Sequence, residues 1–304
     1  MYKKVSKSII SVISLLLLVV LVMNGFNFGA IICEFYHPRI IETEIYSNSL
    51  MKNQNVNIYL PHGYNEAQKY PVLYLLHGKD GNENSWFNGF FGISAAHIDR
   101  TADRLIKEQK IKPMIIVSPM IDNSYGVNTS STNKKVGDHN EGLYEDFIVK
   151  ELIPYVDSNY STIQSRDGRY VGGLSMGGFS ALYLAFAHPD LFSKVGGHSA
   201  ALRLDVNAGS GIGWLFQNGR DRENIDPVYL ADHVVNNGLS VYLDHGDMDH
   251  SWLIEGNKTL FTMLTANKMN VQYVIQPGGH DYKYWSRQIA QYLMFYSDPM
   301  EKEK

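Results

Sequence analysis

The segment that most constrains this chain is Arg169-Tyr170-Val171-Gly172-Gly173-Leu174-Ser175-Met176-Gly177-Gly178-Phe179. It holds Gly173-Leu174-Ser175-Met176-Gly177, a match to G-x-S-x-G, between a β-branched and aromatic run at 169–171 and the helical spacing of Phe179, Leu182, Tyr183 and Phe186. Five residues alone are a weak signal, but a strand before and a helix after them is the placement that a nucleophile elbow requires. A serine on so sharp a turn has a strained backbone, and side chains two places to either side would collide, so Gly173 and Gly177 leave room. The Met176 amide then lies at a helix N-terminus, where it can face a developing oxyanion.

A serine in this position needs a base, and the base an orienting carboxylate, in the chain order Ser, Asp or Glu, His. Val241-Tyr242-Leu243-Asp244-His245-Gly246-Asp247-Met248-Asp249-His250 places three acids at the end of an apolar run, and Pro277-Gly278-Gly279-His280 puts a histidine just past the final one. The turn at Gly246 is expected to end the strand and project Asp249 toward the site. Asp244 remains in the strand, and Asp247 stays the main competitor as the acid. A rival reading takes His245, Asp247, Asp249 and His250 as metal ligands, although they lack a recognised ligand spacing. A second oxyanion donor belongs on the loop after an early strand, and Val72-Leu73-Tyr74-Leu75-Leu76-His77-Gly78-Lys79 offers the amide of Lys79 there.

Strand patterns recur at 40–46, 56–60, 72–76, 114–117, 169–171, 241–243 and 271–275. Helical spacing links Tyr144, Phe147, Ile148, Leu152 and Tyr155, and again Leu260, Met263 and Leu264. That alternation implies an α/β fold with a mostly parallel central sheet, helices on both faces, and ligand sites at the carboxyl ends of the strands. Neither a charge block nor a repeat interrupts residues 36–304, which are read as one domain.

Residues 1–35 are a separate object. Lys3, Lys4 and Lys7 precede an apolar run at 9–23 whose polar residues are Ser11 and Ser14, the pattern of an export signal. Phe26, Phe28, Ala30, Ile31 and Ile32 extend the run toward bilayer-spanning length, so the segment is read as a signal peptide or a signal anchor. Either way the domain is expected outside the cytoplasm, secreted or held at the outer face of the membrane, with no other membrane contact.

With 27 Lys and Arg against 31 Asp and Glu, the net charge of −4 does not favour a nucleic-acid partner. The single Cys excludes an internal disulfide framework and any multi-cysteine metal site.

Six motifs in order carry a resemblance. They are Pro71-Val72-Leu73-Tyr74-Leu75-Leu76-His77-Gly78, Tyr144-Glu145-Asp146-Phe147-Ile148, Gly173-Leu174-Ser175-Met176-Gly177-Gly178, His188-Pro189-Asp190-Leu191-Phe192, Gly246-Asp247-Met248-Asp249 and His280-Asp281-Tyr282-Lys283-Tyr284-Trp285. From about residue 40 to 296 the chain resembles the putative-esterase family of α/β-hydrolases, which includes S-formylglutathione hydrolases, feruloyl and acetyl-xylan esterases, tributyrin esterases and mycolyltransferases. The resemblance implies an α/β-hydrolase fold, Ser175 as nucleophile, His280 as base, Asp249 as the acid of a G-x-x-D motif, and the amides of Lys79 and Met176 as oxyanion hole. It implies a serine esterase working through an acyl-enzyme, without a metal or organic cofactor, and the export segment and polar loops point to short-acyl or carbohydrate-linked esters. The export segment disfavours a glutathione substrate.

An acyltransferase using the same three residues on a non-water acceptor is the alternative, and a binding protein retaining the fold is a third class. The segments 123–139 and 207–220 lack periodicity and are expected to wall the substrate site. Trp86 and Trp285 read as packed residues, with a stacking role on a sugar or aromatic group as the other reading for Trp86.

Overall fold

The computed structural model describes residues 40–87, 96–206, 211–217, 219–234 and 237–297. The expected signal or anchor segment lies outside them. No helix among the described residues is long and apolar enough to cross a membrane.

Eight strands form one sheet: β1 (Ile40–Ser47), β2 (Lys52–Tyr59), β3 (Val72–Leu76), β4 (Ile115–Pro119), β7 (Arg169–Leu174), β8 (Lys194–His198), β9 (Ser240–Gly246) and β10 (Asn270–Gln276). Their order is β1-β2-β4-β3-β7-β8-β9-β10. The β1–β2 and β2–β4 pairs are antiparallel, and the rest run parallel. Strands β3, β4 and β7 are buried along their whole length, as continuous apolar runs in a doubly covered parallel sheet should be. Edge strands β1 and β10 alternate toward solvent.

Helices α1 (Ile98–Lys107) and α5 (Tyr282–Tyr296) cover one face, where Leu73, Leu105, Ile116, Trp285 and Tyr292 share a core. The other face carries α2 (Ile153–Asn159) and α3 (Met176–Ala187), packed through Phe147, Val156, Phe179 and Leu182. Helix α4 (Ser251–Ala266) adds Leu260 and Leu264 to that second core. Just before α2 the chain makes a π turn over Phe147–Leu152, and Pro154 lacks the N–H that would bond the Lys150 carbonyl. Helix α3 is buried from Met176 to Phe186 and shows no polar face.

Several elements depart from the sequence reading. Strand β8 and helix α1 stand where no element is expected, and the aperiodic stretch 123–139 contributes to a two-stranded hairpin, β5 (Lys134–Val136) with β6 (His139–Glu141). The register explains why distant residues meet. Leu76 pairs with Gly173, Leu174 with His198, His198 with Asp244, and His245 with Ile275, so strands β3, β7, β8, β9 and β10 deliver their following loops to one edge.

Candidate active site

Ser175 stands between β7 and α3 with φ 55° and ψ −115°, a conformation that costs a non-glycine residue about 1–3 kcal/mol. Main-chain bonds hold it there: its N–H donates to the His198 carbonyl at 2.9 Å, and its own carbonyl accepts from Phe179 N–H at 3.1 Å and Ala201 N–H at 2.9 Å. The flanking glycines are sterically required. A Cβ on Gly173 would lie 2.2 Å from the Gly177 carbonyl oxygen, and one on Gly177 would lie 2.2 Å from that of Leu76.

His280 Nε2 lies 2.8 Å from Ser175 Oγ, and its Nδ1 lies 2.9 and 3.2 Å from the two carboxylate oxygens of Asp249. With the carboxylate at Nδ1, a neutral imidazole keeps its proton there and presents the Nε2 lone pair to the hydroxyl. The Trp285 and His280 rings meet nearly at right angles with centroids 5.1 Å apart, and the indole N–H donates to Ser199 Oγ at 3.2 Å. Burial pushes the Asp249 carboxyl up, but it is outweighed. The hydrogen bond and charge of His280, the His250 N–H at 2.7 Å and the Ser199 hydroxyl hold it below the usual range.

The competing acids have other partners. Asp247 Oδ1 accepts Gly278 N–H at 3.0 Å and so fastens the loop that carries His280. That loop lies so close that a Cβ on Gly246 would sit 2.1 Å from the Gly278 carbonyl oxygen. Asp244 is buried, with one oxygen 2.8 Å from His198 Nδ1 and the other accepting the hydroxyls of Tyr284 and Tyr292 at 2.7 Å each. The four residues of the metal reading do not converge: His245 Nδ1 lies 2.8 Å from the Gly246 carbonyl oxygen and its Nε2 2.6 Å from the Tyr273 hydroxyl. Among the described residues no group of three or more His, Cys, Asp or Glu is poised to hold a metal.

The N–H groups of Lys79 and Met176 donate to no hydrogen bond among the described residues, and both residues line the cavity that contains Ser175. His77 fixes the approach of the first. Its Nε2 accepts Ile121 N–H at 3.0 Å, which leaves the proton on Nδ1 to donate to the Gly78 carbonyl at 2.8 Å. That carbonyl also accepts Gly81 N–H at 3.0 Å. In a trans peptide the following N–H, that of Lys79, points the opposite way. Full burial keeps the His77 imidazole neutral, pushing its pKa down to about 4.

The cavity measures about 570 Å³, and Tyr125, His250, Trp252, Tyr282 and Trp285 supply its aromatic walls. Of these, Tyr282 and Trp285 lie in the motif that begins at His280, His250 follows the cluster of acids, and Tyr125 lies in the aperiodic stretch 123–139 that the sequence already assigns to the substrate wall. Trp252 carries no such signal, and position alone brings it in. Trp86 is packed, fully buried with its indole N–H donating to the Leu76 carbonyl at 3.2 Å.

Residues 47–296 match the family model Esterase, described as "Putative esterase". An endo-1,4-beta-xylanase/feruloyl esterase of Xylanibacter ruminicola is 31% identical over 199 residues, which are 63% of this chain and 26% of that protein. The chain thus spans about a quarter of that relative's length. An acetyl esterase of Caldicellulosiruptor saccharolyticus is 24% identical over 83% of this chain and 95% of its own. A solved ferulic acid esterase superposes with a TM-score of 0.69 at 25% identity, covering 85% of this chain and 97% of its own. That solved structure shares the α/β-hydrolase architecture of the sheet and helices described above.

Proposed function

The chain belongs to the putative-esterase family, and from that premise we propose that it hydrolyses carboxylic esters with Ser175 as nucleophile, His280 as general base and Asp249 as its orienting acid. The observation that carries this reading is the single imidazole bridging Ser175 Oγ at 2.8 Å and Asp249 at 2.9 Å.

His280 takes the hydroxyl proton at Nε2 as Oγ attacks the ester carbonyl, while Asp249 fixes the tautomer and stabilises the imidazolium. The carbonyl oxygen becomes an oxyanion facing the N–H groups of Lys79 and Met176, each worth roughly 10²–10³ in rate. Collapse expels the alcohol, which receives the proton from His280 and leaves an acyl group on Ser175. Water, deprotonated by the same imidazole, then releases the acid and restores the hydroxyl. None of these steps calls on a metal or an organic cofactor.

The aromatic walls suit an ester with a planar or carbohydrate-linked group, in keeping with the feruloyl and acetyl esterases among the relatives. The lysines and apolar run before residue 24 support action outside the cytoplasm. The test is hydrolysis of a chromogenic short-acyl ester by Ser175→Ala. The expected result is loss of turnover with an unchanged fold, and near-normal turnover overturns the assignment.

A further inference from the structure

Three connections join the 77–80 loop to residues 121–138, most of which belong to the stretch 123–139 that the sequence reading takes only as substrate wall. His77 Nε2 accepts Ile121 N–H, the Lys79 ammonium pairs with the Asp138 carboxylate, and Asp80 and Asn123 bond reciprocally. In that reciprocal pair Asp80 N–H donates to Asn123 Oδ1 at 2.8 Å, and Asn123 Nδ2 donates to Asp80 Oδ1 at 2.8 Å. The same amide nitrogen donates to the Asp138 carbonyl at 2.9 Å. The Asn123 main chain is engaged as well, its N–H donating to Asn140 Oδ1 at 3.3 Å and its carbonyl accepting Asn140 N–H at 3.1 Å. One side chain therefore ties the loop after β3 to the β5–β6 hairpin.

What it ties down is a strained point. Asp80 has φ 60°, a left-handed conformation that costs an L-residue about 1–2 kcal/mol without local support. The Lys79 peptide lies between two anchored positions, the Gly78 carbonyl on His77 and Gly81, and Asp80 N–H on Asn123. If Asp80 relaxes, the plane that carries Lys79 N–H keeps only its hold at the Gly78 carbonyl and can tilt about that hold, which takes its N–H off the direction of Ser175.

We propose that Asn123 is a positioning residue for the oxyanion hole, holding Lys79 N–H in the orientation that meets the tetrahedral oxygen. The proposal rests on the assignment of that N–H above. A donor that strengthens its bond in the transition state contributes to kcat and little to substrate binding, so loss of its aim lowers kcat and leaves KM in place.

The experiment compares wild type, Asn123→Ala, Asn123→Asp, and the exchange Asp80→Asn with Asn123→Asp, using one chromogenic ester and following thermal midpoints throughout. Asn123→Ala is expected to lose about 10- to 100-fold in kcat, as a misplacement near 1 Å does. Its KM should stay within about twofold and its midpoint within about 3 °C of wild type. Asn123→Asp, which sets two carboxylates against each other, loses at least as much. The exchange restores a donor opposite an acceptor between positions 80 and 123, though not the bond to the Asp138 carbonyl, and brings kcat well above that of Asn123→Asp, to within about tenfold of wild type.

Wild-type kcat in Asn123→Ala overturns the proposal. So does a fall in kcat that follows the midpoint down and is not restored by the exchange, which is the mark of a merely structural contact. Ser175→Ala is measured in the same series. Activity in that variant overturns the triad reading and this proposal together, whereas an inactive Ser175→Ala beside a fully active Asn123→Ala overturns this proposal alone.

Discussion

Gly177→Ala joins the packing of the elbow to its chemistry. The new Cβ would lie 2.2 Å from the Leu76 carbonyl oxygen and 2.6 Å from that of His77, and both neighbours are main chain. An ordinary carbon–oxygen contact is near 3.3 Å, so the start of α3 and the end of β3 must part by about 1 Å. Overpacking of this kind costs about 1–3 kcal/mol. The displaced carbonyls immediately precede Gly78 and Lys79, so the same movement widens the gap between Lys79 N–H and Ser175. A misplacement of about 1 Å at a reacting centre costs on the order of 10² in rate. The expected variant folds, melts several degrees below wild type, and loses about 10² in kcat/KM, a kinetic loss larger than its stability loss would suggest. Gly63→Ala is the control, because nothing lies within 4 Å of its added Cβ and only the φ of 76° is strained. It should lose up to about 1 kcal/mol of stability and leave kinetics unchanged. Thermal melts with steady-state kinetics decide the matter. A Gly177→Ala protein with wild-type midpoint and wild-type kcat/KM would refute the steric account of the elbow.

His77 is expected to make the fold sensitive to acid. Its pKa is about 4 in the folded chain against 6.5 when free, so the unfolded chain takes up a proton that the folded one refuses; this contribution is complete above pH 6.5 and lost as pH falls toward 4. The gap of about 2.5 pH units, at 1.36 kcal/mol each, is about 3 kcal/mol, and urea midpoints between pH 7 and 4.5 should fall less steeply in His77→Gln than in wild type; equal slopes would count against it. Asp249→Asn should cut kcat by about 10³–10⁴ with little change in KM, because the amide favours the wrong imidazole tautomer. Steady-state kinetics showing a loss of less than tenfold would exclude Asp249 from the orienting role.

The elbow was legible because its chemistry and its steric demands fall within five consecutive residues. That His280 and an acid after β9 lie at one edge followed from chain order and strand ends, since parallel strands send their following loops to one edge, whereas Asp249 was separated from Asp247 only by the resemblance. Strand β8 was not legible, for a reason the packing supplies. Its sequence Lys194-Val195-Gly196-Gly197-His198 has neither an apolar run nor an alternating one, yet a Cβ on Gly196 would meet the Tyr296 hydroxyl at 2.0 Å and one on Gly197 would meet Leu182 Cδ1 at 2.7 Å. The glycines are there because α3 and α5 press on the strand from both faces, and local propensity carries no trace of that pressure.

The same contrast separates the two halves of the proposed site. The attacking half is written in motifs, because a nucleophile, a base and an acid must be particular residue types. The receiving half consists of main-chain N–H groups, which any residue provides, so its aim depends on what surrounds them. Here that surrounding is a histidine adjacent to Gly78 and an asparagine 43 residues beyond Asp80. Reciprocal amide–carboxylate bonding needs only that both partners reach each other, and no periodicity or spacing marks such a pair in advance. A segment that reads as an irregular wall around a substrate can therefore hold the alignment on which the transition state depends, and substitutions in it should be judged by kcat before they are judged by binding.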